Sequence, residues 1–188
     1  MKRGAVIAIL AAMLAACGGS DGRDAVPKPR AYPRIAVADS VFAPVPGAAI
    51  PFEACTAAQA QVDSAGRWIT LSYPAYGATV YVTLSEAPDQ ERMAAMIDNR
   101  RERMSLNLNG APASTGHITS LDGSFEGVLL EAPGTGTPLQ FLATDGYRRL
   151  VSGVAQLSTA GTAPHDSVRP ILAALRRDII HALKNLRQ

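Results

Sequence analysis

Apolar and polar residues alternate without interruption in Ala78-Thr79-Val80-Tyr81-Val82-Thr83-Leu84-Ser85. A period of two is what a β-strand requires when one of its faces is buried and the other is not. The preceding stretch Trp68-Ile69-Thr70-Leu71-Ser72-Tyr73 has the composition of a second strand, and Pro74-Ala75-Tyr76-Gly77 joins the two as a hairpin loop. This part of the chain therefore predicts the beginning of an antiparallel sheet.

More strands are predicted on both sides of this hairpin. Downstream, strand signals cover residues 115–120, 125–132, 137–144 and 149–157. Turn dipeptides such as Asp122-Gly123 and Asp145-Gly146 separate them, and connections this short can join only antiparallel neighbours, so we expect a meander. Upstream, residues 50–55 are expected to pair nearby, after a passage at residues 37–51 with little regular structure.

Two helices complete the predicted fold. Asp89 opens the first, which runs to about Asn107 with Met93, Met96, Ile97 and Met104 along one stripe. The second begins near Asp166 or Ser167, with Pro170 in its first turn. Its apolar face at helical spacing consists of Val168, Ile171, Leu172, Leu175, Ile179, Leu183 and Leu186.

The charged positions of both helices are expected to face solvent. They include residues 98–103 in the first helix, and Asp178 and His181 in the second. An antiparallel sheet with helices packed on it is an α+β fold, and this is the fold class that the sequence predicts.

The N terminus carries a targeting signal. Lys2 and Arg3 precede an apolar run that ends in Leu14-Ala15-Ala16-Cys17, and this run is too short to span a membrane as a helix. A cysteine at the cleavage point is typical of bacterial lipoprotein precursors. We therefore predict that residues 1–16 are a lipoprotein signal peptide and that Cys17 becomes lipidated; the alternative is an ordinary secretory signal with a chance cysteine.

Lipidation at Cys17 predicts where the protein resides. Several acyl chains, such as palmitate, anchor a protein stably where a single chain would not. We expect a lipid anchor in the inner or the outer membrane, with the folded domain on the periplasmic side of the cell envelope.

Residues 17–33 are predicted to connect this anchor to the domain. Gly, Ser, Asp and Arg dominate the first half, which has almost nothing to bury and is typical of a tether. Residues 27–34 read PKPRAYPR, where three prolines stiffen the chain and cations alternate with an aromatic ring. We call residues 27–34 the arm, and composition alone favours a stiff spacer. Residues 34–188 are expected to form a single α+β domain.

Charge and cysteine content exclude some classes of function. Lys2 and Arg3 account for the whole positive excess, so residues 17–188 carry 16 basic and 16 acidic residues. This balance argues against nucleic acid as a partner, because phosphate binding needs a basic surplus on one face. If Cys17 is lipidated, Cys55 has no intrachain disulfide partner, and we expect it to be a small buried strand residue.

No catalytic, metal-binding or cofactor-binding motif is evident in the sequence. His117, His165 and His181 have no second ligand at metal spacing, and no phosphate-binding loop or dinucleotide fingerprint is present. We therefore predict no cofactor and no metal. Two alternatives stay open: a lipoprotein that binds a small molecule or peptide between sheet and helix, and an enzyme built on distant residues such as Asp145, His117 or Cys55.

Several short segments resemble the GldD family of gliding-motility lipoproteins from Bacteroidetes. The resemblance runs from Pro27 to the end of the final helix. The matching pieces are Pro27-Lys28-Pro29-Arg30 with Tyr32 and Arg34, Trp68-Ile69-Thr70-Leu71-Ser72-Tyr73-Pro74 with Tyr76 and Tyr81, Pro138-Leu139-Gln140-Phe141 with Thr144-Asp145, and Asp166-Ser167-Val168-Arg169-Pro170.

The resemblance implies a function and a fold. It implies a lipid-anchored envelope protein, needed for gliding and associated with the type IX secretion machinery, that acts through contacts with other envelope proteins and has no enzymatic activity. The order of elements also resembles the PsbP/Mog1 type of α-β-α sandwich. With this family in view, the candidate partner contacts are Lys28, Pro29, Arg30, Tyr32 and Arg34; packing of the arm against its own domain is the alternative.

Overall fold

A computed structural model describes residues 40–158 and 165–187 of the chain. The predictions for the signal peptide, Cys17, the tether and the arm lie outside the described residues. Nine strands are present in the described part: β1 Phe42–Pro44, β2 Glu53–Cys55, β3 Gln59–Val62, β4 Trp68–Tyr73, β5 Ala78–Glu86, β6 Ser114–Thr119, β7 Glu126–Glu131, β8 Leu139–Thr144 and β9 Arg149–Leu157. The two α-helices there are α1 Gln90–Leu108 and α2 His165–Lys184, and a 3-10 helix at Pro74–Tyr76 joins β4 to β5.

Strands β3 to β9 form one antiparallel sheet in the order β3-β4-β5-β9-β8-β7-β6. The predicted meander is confirmed in β6 to β9, and β9 then pairs with β5 along its whole length, from Ala78↔Leu157 to Glu86↔Arg149. This pairing places the N-terminal hairpin and the C-terminal meander in one sheet. The predicted α+β class is confirmed.

One face of the sheet is covered by α2. The alternation in β5 buries Ala78, Val80, Val82 and Leu84 on this face, as its period of two predicts. The apolar residues predicted for α2 are all buried in the same core cluster, which also contains inward-facing residues of β4, β8 and β9. Burial of these two complementary apolar surfaces holds the domain together.

The opposite face is covered by α1, but only in part. Asp89 caps this helix by accepting a hydrogen bond from the Arg92 backbone N–H at 2.8 Å, and Asn109 ends it in the left-handed conformation. Met93 and Met104 pack on Leu142 of β8 and Leu150 of β9, and Val128 and Leu130 of β7 adjoin this cluster. A helix on each face agrees with a sandwich, while the PsbP/Mog1 relationship stays a prediction.

Some local details differ from expectation. β1 lies in the passage predicted to have little regular structure, and it pairs with β2 in a separate two-stranded sheet. β3 was not predicted, because Gln59-Ala60-Gln61-Val62 is short and Val62 is its one residue with a high strand propensity; it exists as an edge strand hydrogen-bonded to β4. α2 begins at His165, slightly before the predicted start, so Pro170 lies inside the helix.

Gly153 in β9 lies where the Phe141 ring and the Tyr81 carbonyl leave no room for a side chain. A side chain at this position would collide with the Phe141 ring and the backbone carbonyl of Tyr81. We expect Gly153→Ala to lower the free energy of unfolding by about 1–3 kcal/mol, the usual cost of overpacking a core, in urea unfolding followed by circular dichroism.

Gly136→Ala is the matched control, because nothing lies within 4 Å of the added methyl group. It should change the free energy of unfolding by less than about 0.5 kcal/mol. Equal stabilities for the two variants would contradict the described packing of Phe141 over Gly153.

Candidate functional site

The strands that α1 does not cover present a continuous uncharged surface. We define the open face as the outward side chains of β3, β4 and β5: Gln59, Gln61, Trp68, Thr70, Ser72, Thr79, Tyr81 and Thr83. The register places Trp68 opposite Thr83 and Thr70 opposite Tyr81. The alternation in β4 and β5 sends the apolar partners of these residues into the core, so the polar set faces outward.

Two aromatic side chains stand out on the open face. Trp68 is 65% exposed and Tyr81 is 44% exposed. Their register makes them diagonal neighbours on adjacent strands, a spacing within reach of large side chains. Within the described residues, ring stacking joins only Phe42 to His181 and Tyr73 to Tyr76, so neither open-face ring is stacked on another.

A groove separates the open face from α1. Its main cavity has a volume of about 370 Å³. The lining residues are Tyr81, Thr83, Arg100, Arg103, Met104, Leu106, Asn107, Gln140, Phe141, Ser152, Gly153 and Val154. Side chains of β5, β8 and β9 therefore form the floor, and the C-terminal half of α1 forms one wall.

Gln140 fixes that wall to the floor. Its side chain is fully buried, accepts a hydrogen bond from the Asn107 amide at 3.1 Å and donates one to the Met104 carbonyl at 3.3 Å. Both partners belong to α1, while Gln140 belongs to β8. A buried amide that is satisfied by two groups of one helix helps to fix the position of that helix on the sheet.

Two arginines of α1 line the groove without an acidic partner. Neither Arg100 nor Arg103 forms an ion pair or a side-chain hydrogen bond with any described residue. Burial and the nearby Arg103 charge lower the pKa of Arg100, yet a guanidinium remains charged at any physiological pH. Arg100 was predicted to lie on a solvated helix face; it is half-buried, since it faces the groove.

The other face of the sheet contains a buried polar cluster around Asp178. This residue was predicted to face solvent, but the prediction is wrong: Asp178 is only 5% exposed. It follows Leu175 by three positions and precedes Ala182 by four, which puts it on the buried stripe of α2. Burial raises the pKa of the Asp178 carboxyl, opposed by the Arg177 charge and by hydrogen bonding from Cys55 and Tyr73.

Cys55 is confirmed as a free, buried strand residue. Burial raises the pKa of its thiol, and the Asp178 carboxylate raises it further. A thiol with a raised pKa is a poor nucleophile, because the thiolate is the reactive form. The cluster of Cys55, Tyr73 and Asp178 is therefore suited to holding β2 and β4 against α2 rather than to covalent chemistry.

His181 also connects α2 to the small sheet. Its Nε2 lies 2.7 Å from Glu53 Oε2, and its ring stacks on Phe42 with centroids 3.5 Å apart. The ring is half-buried, whereas it was predicted to face solvent. These contacts bind one residue of β1 and one of β2 to α2.

The residues considered for a dispersed catalytic site do not come together. Cys55 is buried under α2, His117 is exposed on the edge strand β6, and Asp145 lies in the turn between β8 and β9. The Asp145 carboxylate accepts hydrogen bonds from the backbone N–H groups of Tyr147, Arg148 and Arg149, each at 2.9 Å, so it stabilises that turn.

Among the described residues, no three or more His, Cys, Asp or Glu side chains cluster closely enough to hold a metal ion. None of the helices in that part of the chain is long and apolar enough to cross a membrane. Cys17 and the candidate contacts Lys28, Pro29, Arg30, Tyr32 and Arg34 lie outside the described residues.

Comparison with known proteins shows to which family the chain belongs. The model of the gliding motility lipoprotein GldD family matches residues 22–187, which is most of the chain. The chain belongs to the GldD family. It is therefore a lipid-anchored protein of the cell envelope with a part in gliding motility. A search of curated proteins finds no significant match.

Asp178 makes the stability of the domain depend on pH. Because its pKa is raised above the ordinary value of 3.8, the native state binds this proton more tightly than the unfolded state does. The native state therefore loses stability as the pH rises from 3.8 through the raised pKa. In urea unfolding at a series of pH values, the stability of Asp178→Asn relative to wild type should increase over this range.

Asp63 gives the opposite sign and serves as the control. Hydrogen bonds from backbone N–H groups, the strongest from Trp68, lower the pKa of its exposed carboxylate. The stability that the ionised Asp63 carboxylate contributes is present above pH 3.8 and is lost as the pH falls through the lowered pKa. Since the asparagine side chain of the variant makes no such contribution, the stability of Asp63→Asn relative to wild type should decrease as the pH rises over this range. If the stability relative to wild type changed with pH in the same direction for Asp178→Asn and Asp63→Asn, the opposite pKa shifts of the two carboxyl groups would be contradicted.

Proposed function

We propose that this protein is a non-catalytic adaptor of the gliding and type IX secretion machinery, which binds another envelope protein through its open face. The observation that carries the proposal is the partial coverage of the sheet by α1. A sheet face that exposes Trp68 and Tyr81 without any charged residue is an unusual surface for a protein that makes no contacts there.

The composition of the open face suits a protein partner. Tyr and Trp are enriched at protein interfaces because they combine a large apolar surface with a polar atom. Thr70, Thr83 and the two edge glutamines supply hydrogen-bonding groups around the aromatic pair. This arrangement provides aromatic anchors surrounded by polar side chains, as at interfaces where a few residues carry most of the binding energy.

The N-terminal region completes the proposed adaptor. In this proposal Cys17 carries the lipid, residues 18–26 are a tether, and the arm holds Lys28, Pro29, Arg30, Tyr32 and Arg34 as a second contact for the partner. The family match begins at residue 22 and so includes the whole arm, which supports a role for it. The lipid would keep both contact regions close to the membrane surface.

A second candidate function is the binding of a small molecule. The groove volume of about 370 Å³ falls within the range of ligand pockets, and this observation favours the candidate. A soluble ligand that binds only the native protein would raise its melting temperature in a concentration-dependent way.

The open face can be tested by removing its aromatic anchors. We expect Trp68→Ala with Tyr81→Ala to weaken binding of the partner about tenfold, because aromatic side chains dominate such interfaces. The measurement is affinity purification of the lipidated protein from membranes, with co-purified envelope proteins quantified by mass spectrometry. Circular dichroism of the variant should match wild type, since both side chains are largely exposed.

Tyr147→Ala is the matched control for this experiment. Tyr147 is a similarly exposed aromatic residue, but it lies in the turn between β8 and β9. It should leave recovery of the partner unchanged. If the double variant recovers as much partner as Tyr147→Ala, the open face is not the contact surface.

The arm needs a separate test. We expect Arg30→Ala with Arg34→Ala to leave the melting temperature unchanged while reducing recovery of motility or type IX components, because two cations are removed from the contact. A lower melting temperature would instead indicate that the arm packs on its own domain. Unchanged recovery would remove the arm from the proposed interface.

A further inference from the structure

The groove beside α1 is longer than its main cavity. A second cavity of about 310 Å³ lies along the N-terminal half of the helix and is lined by α1 residues alone; Arg100 lines both cavities. Together they extend from Arg92 to Asn107, which corresponds to about 22 Å at 1.5 Å per helical residue. An extended peptide rises about 3.3 Å per residue, so the groove accommodates a segment of about seven residues.

All charged residues that line this groove are basic. Arg92, Arg100 and Arg103 face it, and neither cavity is lined by Asp or Glu. None of the three guanidinium groups forms an ion pair with a described residue. The chain from residue 17 onward has equal numbers of basic and acidic residues, so this concentration of positive charge is local.

We propose that the groove binds an extended acidic segment of the partner protein, whose carboxylates pair with Arg100 and Arg103. This inference rests on the adaptor function proposed above and names the chemistry of the partner. The planar guanidinium pairs with a carboxylate through two parallel hydrogen bonds, which gives both affinity and orientation.

Uncharged groups in the groove can bind the backbone of such a segment. Asn107 donates its amide N–H to Gln140, which leaves its own side-chain oxygen free to accept from a peptide N–H. Tyr81 lines the same cavity, and its hydroxyl makes no hydrogen bond with a described residue. Met104 and Leu106 supply apolar surface beside these groups.

The shape of the groove favours a peptide over a free anion or a lipid headgroup. A single phosphate would occupy only one end of a groove about 22 Å long. The groove also borders the open face, because Tyr81 and Thr83 belong to both surfaces. A partner that contacts the open face can therefore continue into the groove.

The test measures binding of a fluorescent heptaglutamate peptide to the full-length lipidated protein in neutral detergent, by fluorescence anisotropy at low salt. Wild type should bind heptaglutamate and should not bind heptalysine or heptaglutamine. Arg100→Glu with Arg103→Glu should weaken binding about tenfold or more, because attraction becomes repulsion at the centre of the groove.

Arg101→Glu is the control for position, and it reverses one charge where the double variant reverses two. Arg101 is exposed on the same helix, next to Arg100, but it does not line either cavity. The affinity of Arg101→Glu for heptaglutamate should lie within about twofold of wild type once the effect of its lower net charge on long-range attraction is subtracted. Equal losses in Arg101→Glu and in the double variant would overturn the proposal, because binding would then depend on overall charge alone.

A parallel experiment measures binding of the same protein to phosphatidylglycerol in mixed micelles with the neutral detergent, and to inorganic phosphate. Binding to either that depends on Arg100 and Arg103, without binding to heptaglutamate, would overturn the acidic-peptide proposal. Circular dichroism and the melting temperature of each variant verify folding. Arg100→Lys with Arg103→Lys should retain part of the affinity for heptaglutamate, because the positive charges remain while the bidentate geometry of the guanidinium is lost.

Two pairs of variants distinguish the acidic-segment proposal from the adaptor proposal. If Arg100→Glu with Arg103→Glu still recovers the partner from membranes but Trp68→Ala with Tyr81→Ala does not, the adaptor proposal stands and the acidic-segment proposal fails. If the peptide binds in an arginine-dependent way but recovery is insensitive to Trp68 and Tyr81, the groove is a binding site and the open face is not.

Discussion

Pairing between β5 and β9 determines where α1 can lie. β5 ends at Glu86 inside the sheet, and the next strand in the chain, β6, forms the far edge of the same sheet. A helix that connects these two points passes over the strands between them, which are β9, β8 and β7. These are the strands whose outward residues α1 buries. β3 and β4 lie on the other side of β5, so the path of the chain leaves them uncovered. The open face is thus a direct consequence of strand order.

Strand order explains that the face is open, but it does not explain what the face contains. A sheet face that only contacts water can carry Lys and Glu, which keep a surface soluble. Here the open face is uncharged and presents Trp68 and Tyr81, while two cations, Arg100 and Arg103, line the adjoining groove. Gln140 holds that side of α1 in place. An aromatic surface beside unpaired cations is chemically suited to a partner that offers apolar and acidic groups.

Much of the fold could be predicted from local patterns. The alternation in β4 and β5, the turn dipeptides and the apolar stripe of α2 act over a few residues, so they are readable in the sequence. β3 was missed because an edge strand needs only the backbone of β4 as its partner. The burial of Asp178 was missed because its hydrogen-bonding environment, Cys55 and Tyr73, comes from distant strands. The groove could not be predicted, because Arg100 is a groove residue only once the strands under α1 are known.

The central claim is that the open face is occupied by a partner in the cell envelope. Site-specific photo-crosslinking in native membranes tests it most directly, with the photoreactive residue at Thr70 on the open face or at Leu121, which is highly exposed outside that face. The account predicts a discrete crosslinked product with another envelope protein from Thr70 and none from Leu121. Equal crosslinking from both positions, or a product from Leu121 alone, would contradict it.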